Sequence, residues 1–214
     1  SIPGQPTEFW NDDFNTLVLP WLRPGDVILL WGITGDVASQ GSTGAEVYTY
    51  TSEFCTKAHN LGCKVVGFEP CERIAQKARD NGIGTISQFF NGGSSEEFAL
   101  QYRSPSLTVA TNSFAHNSDL NEFIEGLRIL MNNDGYFIFE NCYIYNSLLS
   151  KDLGQNYFDH FYQHNLLSLV KLFERHDMEL FSVQYRNIQL GSIRCYVRFK
   201  NNQKIQKDNS VKDG

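Results

Sequence analysis

The sequence has no C-x-x-C pair, although it carries five cysteines, Cys55, Cys63, Cys71, Cys142 and Cys195. Without that spacing they do not make a structural zinc module, and their odd number fits free thiols of a reducing compartment better than a disulfide framework. No metal ligand set is expected. Long apolar runs are also missing: the longest, Val27 to Trp31, is strand-sized, against the roughly 18 residues that cross a bilayer. No membrane partner follows. Cations are outnumbered, 18 Lys and Arg against 24 Asp and Glu for a net charge of -6, and no basic stripe exists to displace counterions from a phosphate backbone. Nucleic acid is therefore disfavoured as a partner. The G-x-G-x-x-G loop of dinucleotide sites is absent as well, which removes the simplest dehydrogenase reading. Ser1 to Trp10 lacks the basic start and apolar middle of a secretory leader, so a cytoplasmic protein is expected; a chain opening on Ser rather than Met can be a trimmed one.

What remains is ample for a folded core: 214 residues, 41% hydrophobic and 14% aromatic. The reading is a single domain over residues 1–200, followed by a polar tail, 201–214, without apolar periodicity and expected to fray. Apolar runs alternate with helical patterns, the mark of βαβ units feeding a mostly parallel sheet. Strands are expected at Val27 to Trp31, Lys64 to Phe68, Thr85 to Phe89, Ser106 to Thr111, Tyr136 to Glu140, Leu180 to Tyr185 and Ser192 to Phe199. The last two stand close enough in sequence to pair as an antiparallel hairpin. Helices are expected over Cys71 to Asn81, with Ile74 and Ala78 on one face and Gly82 at its end, over Asp119 to Met131, capped by Ser118, and over Leu166 to His176.

In open α/β sheets ligands sit outside the carboxyl ends of the strands, so the loops there carry the candidate site. After the first strand comes Trp31-Gly-Ile-Thr-Gly-Asp36, opening a Gly-, Ser- and Thr-rich stretch from Ile33 to Thr51. Glycines there let backbone approach a ligand closely, or simply turn the chain. After the second strand stands Glu69, followed by Pro70, which is expected to open the next helix at its first position. A carboxylate at this place accepts hydrogen bonds from both hydroxyls of a ribose, or favours the dipole of the helix that follows. Such an acid normally follows the glycine loop by about 20 residues; here it follows Gly35 by 34, which implies an insertion or an extended first helix.

From Val65 to Ile83, then Gly84-Thr-Ile-Ser-Gln-Phe-Phe90 and Ala110-Thr-Asn-Ser-Phe-Ala-His116, the sequence resembles class I S-adenosylmethionine-dependent methyltransferases. Among these it is most similar to the sugar C-methyltransferases that act on nucleotide-linked deoxysugar ketones. The likeness continues through Gly135 to Glu140, Tyr157 to His164, Phe173 to His176 and Gly191 to Arg194. It implies an α/β, Rossmann-like fold with a mostly parallel seven-stranded sheet and an antiparallel C-terminal hairpin. Family members are longer, with an N-terminal cysteine-rich zinc module and a further C-terminal domain.

The resemblance also implies a cofactor, S-adenosylmethionine, and places residues around it. Gly32 and Gly35 match the glycine loop beside the methionine part, Glu69 the ribose ligand and Pro70 its companion. Phe89 and Phe90 fall near the adenine, and Asn112 near the amino acid end. Two positions depart from the pattern: Leu30 and Trp31 stand where the family has an acid, and Gln88 where it has Asp. Glutamine still offers an amide to an adenine edge. Asn112-Ser-Phe-Ala lacks the Asn/Asp-Pro-Pro-Tyr run of enzymes that methylate base amino groups.

Carbon methylation needs a base to remove the proton next to a ketone. The family's stretch reads Tyr-His-Glu-His; aligned here, Phe161, Tyr162 and Gln163 replace its first three members and His164 is retained. His164 is the candidate general base because an imidazole titrates near neutral pH, with a surface or helix-capping histidine beside Asn165 as the alternative. His116 and His160 read as structural. Phe161, Tyr162, Gln163 and Arg194 are candidates for binding a small-molecule acceptor, in this reading a nucleotide sugar; Arg194 equally suits a structural ion pair. The substituted motif positions also motivate a second reading: a methyltransferase-like domain without catalysis, serving as a binding or assembly module for a protein partner.

Overall fold

The computed structural model describes residues 23–31, 58, 60, 62–111, 113–151, 160–186, 191–204 and 207–211, with the backbone alone at residues 30 and 31. Gly32, Gly35, most of the glycine-rich stretch, Asn112 and the aromatic residues Tyr157 and Phe158 lie outside them. Two compact units divide at residues 89 and 90. Seven strands are present, mostly parallel with an antiparallel C-terminal pair, as the sequence predicts.

The first unit carries three parallel strands in the order β3-β2-β1: β1 (Val27–Trp31), β2 (Lys64–Phe68) and β3 (Gly84–Ile86). A continuous apolar run suits a parallel strand covered on both faces, and Ile28, Leu29, Val66 and Phe68 are fully buried. β3 is shorter and earlier than expected, ending before Gln88 and Phe89. Between β2 and β3 runs α1 (Glu72–Asp80), which buries Ala75 and Ala78, while Ile74 is only half-buried. It ends where Gly82 turns left-handed at φ +82.

The second unit orders its strands β4-β5-β7-β6: β4 (Leu107–Thr111), β5 (Tyr136–Cys142), β6 (Met178–Arg186) and β7 (Ser192–Phe199). β4 and β5 are parallel, and β7 runs antiparallel to both β5 and β6. Its helices are α2 (Gly92–Gln101), α3 (Leu120–Leu130), α4 (Ile144–Ser150) and α5 (Leu166–Glu174). α3 buries Leu120, Phe123, Ile124, Leu127 and Leu130, the apolar stripe read from the sequence. Its cap is Asp119 rather than Ser118. The Asp119 carboxylate accepts from the Asn121 and Glu122 N–H groups at 2.9 and 3.1 Å, and a charged acceptor suits a helix N-terminus better than a hydroxyl.

Neither α2 nor α4 was expected. α2 opens on Gly-Gly-Ser-Ser, poor helix formers, and is started by a reciprocal capping pair, Asn91 with Ser94. Gly126 lets α3 approach it: a Cβ there would stand 2.8 Å from Ser95 Oγ and 3.0 Å from the Asn91 backbone.

The core is aromatic. Phe114 is fully buried in a 3-10 turn after β4, with ring centroids 4.6 Å from Phe139, 5.2 Å from Phe123 and 6.0 Å from Phe173. Each such ring removed from water contributes about 1.5–3 kcal/mol. Much of the aromatic content is therefore spent on packing. The polar tail is also partly docked: Asp208 N–H donates to Phe181 O, and Ser210 Oγ accepts from Val183 N–H, so residues that lack apolar periodicity still satisfy edge-strand groups of β6.

Candidate functional site

In the first unit the loop after β2 is built around Glu69. Glu69 is 4% exposed, unusual for an acid, and one carboxylate oxygen accepts from Cys71 N–H at 2.8 Å. Its own N–H donates to Ile86 O, tying the end of β2 to β3. Cys71 caps α1, so Pro70 lies one position before the cap, not at the first helical position. The carboxylate is thus fixed at the strand end where a ribose would meet it. Gln88 is exposed. The Phe89 ring is 66% exposed, whereas Phe90, in the second unit, is buried against Phe123 at 4.8 Å. Of the two rings offered for the adenine, Phe90 is committed to the core and Phe89 presents its face.

In the second unit the chemistry gathers at the carboxyl end of β5. His164 is 4% exposed, which sets aside the surface alternative, and the helix cap beside it is Asn165, whose side chain accepts from Ser168 N–H. The backbone of His164 forms a bridge with Tyr143, and its carbonyl accepts from Ile144 N–H at 3.1 Å. Its ring lies 5.4 Å from Phe114 and 6.0 Å from Tyr162, both nearly parallel to it. Nε2 is buried with no hydrogen-bond partner among the described residues. Burial, and secondarily the charge of His160, push the imidazole down to about 4. It is therefore an uncharged acceptor at neutral pH.

That shift has a sign that can be measured. Between pH 6.5 and about 4 the unfolded chain takes up a proton that the folded chain refuses, so stability is full above the ordinary imidazole value and falls as the pH drops. The expected loss is about 3 kcal/mol. Denaturant unfolding at several pH values should show this slope in the wild type and its loss in His164→Gln; parallel slopes would contradict it.

The remaining candidates are placed as follows. Phe161 is 64% exposed, with its N–H donating to Ala115 O; Tyr162 is 39% exposed, with its hydroxyl donating to Ser118 O at 2.9 Å; Gln163 is half-buried. Of these three, Tyr162 stacks its ring beside His164. The His116 and His160 rings meet edge to face at 4.6 Å. Arg194 is 1% exposed, and its Nε and Nη2 donate to Glu140 Oε2 at 3.1 and 2.9 Å. Cross-strand register sets Glu140 opposite Arg194, which makes the ion pair, the alternative given to this arginine, its observed state. Gly191, at φ +115, accepts from Tyr143 N–H, and a Cβ there would collide with the Asn146 side chain.

Sequence reasoning missed Glu140 as partner of Arg194, and it missed Asn141. Asn141 is 1% exposed, and neither its Oδ1 nor its Nδ2 has a hydrogen-bond partner among the described residues. Only the register of β5 against β7, a long-range feature, reveals either. Cys63, Cys71, Cys142 and Cys195 are free thiols, and burial pushes the Cys195 thiol well up, reinforced by Glu140. Among the described residues no cluster of His, Cys, Asp or Glu could hold a metal ion, and no helix is long and apolar enough to cross a membrane.

Strand directions, the antiparallel C-terminal pair and the acid after β2 define the Rossmann-like class I methyltransferase fold. Solved structures carry the same fold. An S-adenosylmethionine-dependent methyltransferase from Clostridium acetobutylicum superposes with a TM-score of 0.60 over 92% of this chain and 93% of its own, at 14% identity. Magnesium protoporphyrin IX methyltransferase from Synechocystis PCC 6803, with bound SAH, superposes with a TM-score of 0.57 over 90% of this chain and 82% of its own, at 12% identity. In sequence the chain is 28% identical over 172 residues, 80% of its length, to the C-methyltransferase NovU of Streptomyces niveus. It spans 37% of that relative's length. No family model matches.

Proposed function

We propose that this chain is the core of an S-adenosylmethionine-dependent methyltransferase acting on a small molecule, and that it C-methylates a nucleotide-linked keto-deoxysugar with His164 as general base. The observation that carries the reading is a buried carboxylate, Glu69, fixed at the carboxyl end of β2 in a methyltransferase fold. The likeness to a C-methyltransferase supports the carbon acceptor.

Glu69 takes the two ribose hydroxyls, with its orientation held by Cys71 N–H. The exposed Phe89 ring stacks on the adenine, and Gln88 meets the adenine edge. Gly32, Gly35 and Asn112 are assigned to the methionine end from the family pattern alone. When bound, S-adenosylmethionine supplies an electrophilic methyl group on a sulfonium. The His164 imidazole, uncharged at neutral pH and with its Nε2 lacking a partner among the described residues, accepts the proton from the carbon beside the ketone. Tyr162, Phe161 and Gln163 line the acceptor side, and Arg194 acts through Glu140 as a positioning residue.

S-adenosylhomocysteine and S-adenosylmethionine should raise the melting temperature of the wild type. Glu69→Gln, which keeps an acceptor for Cys71 N–H, should weaken S-adenosylhomocysteine roughly 10- to 100-fold, the worth of hydrogen bonds to a charged group. Unchanged affinity in that variant would refute the ribose assignment. Cofactor binding without transfer to any nucleotide sugar, together with a stable protein complex, would instead mark a methyltransferase-like binding module.

A further inference from the structure

We infer that Asn141 binds the neutral ketone oxygen of the acceptor and stabilises the enolate that forms as His164 takes the neighbouring proton. The inference rests on the C-methylation reading and adds to it a residue that neither the sequence pattern nor the family resemblance singles out.

Asn141 is the penultimate residue of β5 and almost fully buried, yet both polar atoms of its carboxamide lack a hydrogen-bond partner among the described residues. A buried amide in that state costs the fold free energy that an apolar residue of the same size would not. Such a residue calls for a ligand-binding explanation. Strand alternation places Asn141 on the face of Phe137 and Phe139 and turns Glu140 to the other face. On the Phe139 side stands Phe114 at 4.6 Å, and beyond it the His164 ring, 5.4 Å from Phe114. Two residues after Asn141, the backbone of Tyr143 bridges to His164 itself. His164 Nε2 is likewise buried without a hydrogen-bond partner among the described residues, as is Thr108 Oγ1, which the β4–β5 register sets beside Phe137. The end of β5 thus carries a neutral amide, and the residue bridged to it two positions on carries an imidazole, with Asn141 Nδ2 and Oδ1 and His164 Nε2 all lacking a partner among the described residues.

The charge of the surroundings selects the ligand. The Arg194 guanidinium pairs with Glu140, which strand alternation turns to the opposite face. A phosphate or carboxylate would favour a cation, whereas a neutral carboxamide suits a neutral oxygen. In the step, the Nε2 lone pair takes the proton from the carbon beside the carbonyl, and the C–H electron pair becomes the carbon–carbon double bond. The carbonyl π pair moves onto oxygen, where Asn141 Nδ2–H donates. Negative charge grows on that oxygen only as the proton leaves, so the donor favours the transition state over the bound ketone.

The test uses the full chain in heavy water, with S-adenosylhomocysteine in place of the methyl donor and a thymidine diphosphate-linked 4-keto-6-deoxyhexose as probe. Proton NMR follows exchange at the carbon beside the ketone. Asn141→Leu should slow kcat for exchange roughly 100-fold, as loss of one oxyanion donor does, with KM little changed. Its melting temperature should hold or rise, because no hydrogen bond of the carboxamide to the described residues is lost. Exchange at the wild-type rate, or a fall in melting temperature alongside the rate, would overturn the inference. A second readout separates it from the reading on which it rests. The side-chain NH₂ resonance of Asn141, assigned by its disappearance in Asn141→Leu, is titrated with the same ketone. A saturating shift without any exchange supports carbonyl binding by Asn141 while removing C-methylation; exchange without a shift overturns Asn141 and leaves the reading standing.

Discussion

Replacing His164 with alanine should lower methyl transfer roughly 10²- to 10⁴-fold, the usual worth of a positioned general base, while S-adenosylhomocysteine binds as in the wild type. Nε2 is buried with no partner among the described residues, the ring is held beside Phe114 and Tyr162, and the backbone is bridged to Tyr143. Desolvation makes the imidazole a weak base in isolation, but an enolate forming beside it restores basicity at the moment the proton moves. Because His164→Ala leaves a cavity against Phe114, His164→Phe serves as the volume-preserving control and should be equally inactive. Labelled methyl incorporation measured beside cofactor affinity decides the matter; activity within a few-fold of wild type in either variant would remove His164 from the chemistry.

The second large effect concerns stability. Arg194→Ala or Glu140→Ala should each destabilise the fold by about 3–5 kcal/mol, because either leaves its partner charged and buried. The two side chains are 2% and 3% exposed, and two guanidinium nitrogens converge on one carboxylate oxygen. Glu140→Leu combined with Arg194→Met, which removes both charges and keeps apolar volume, should recover most of the loss. Urea midpoints of the two single variants and the double variant test the coupling. If Arg194 instead served the acceptor directly, its alanine variant would keep the wild-type midpoint and raise KM alone.

These effects differ in how far the sequence announces them. β1, β2 and β7 were legible because a continuous apolar run has one economical fate in a covered sheet, and α3 because its apolar residues recur every three and four positions. Glu69 was legible because strand, acid, proline and helix agree within a few residues. α2 was hidden by Gly-Gly-Ser-Ser, a helix held by its cap and by the close approach at Gly126 rather than by propensity. The aromatic core built on Phe114 was not legible, since a phenylalanine looks the same in core or pocket until its neighbours are known. Glu140 facing Arg194 and the burial of Asn141 arise from strands far apart in sequence. No local pattern encodes that register.

The account turns on whether Glu69 holds a ribose, and a crystal structure of the chain with S-adenosylhomocysteine tests that most directly. It should show both ribose hydroxyls within hydrogen-bond distance of the Glu69 carboxylate at the end of β2. Absence of bound S-adenosylhomocysteine at millimolar concentration, or a nucleoside lodged away from Glu69, would contradict it.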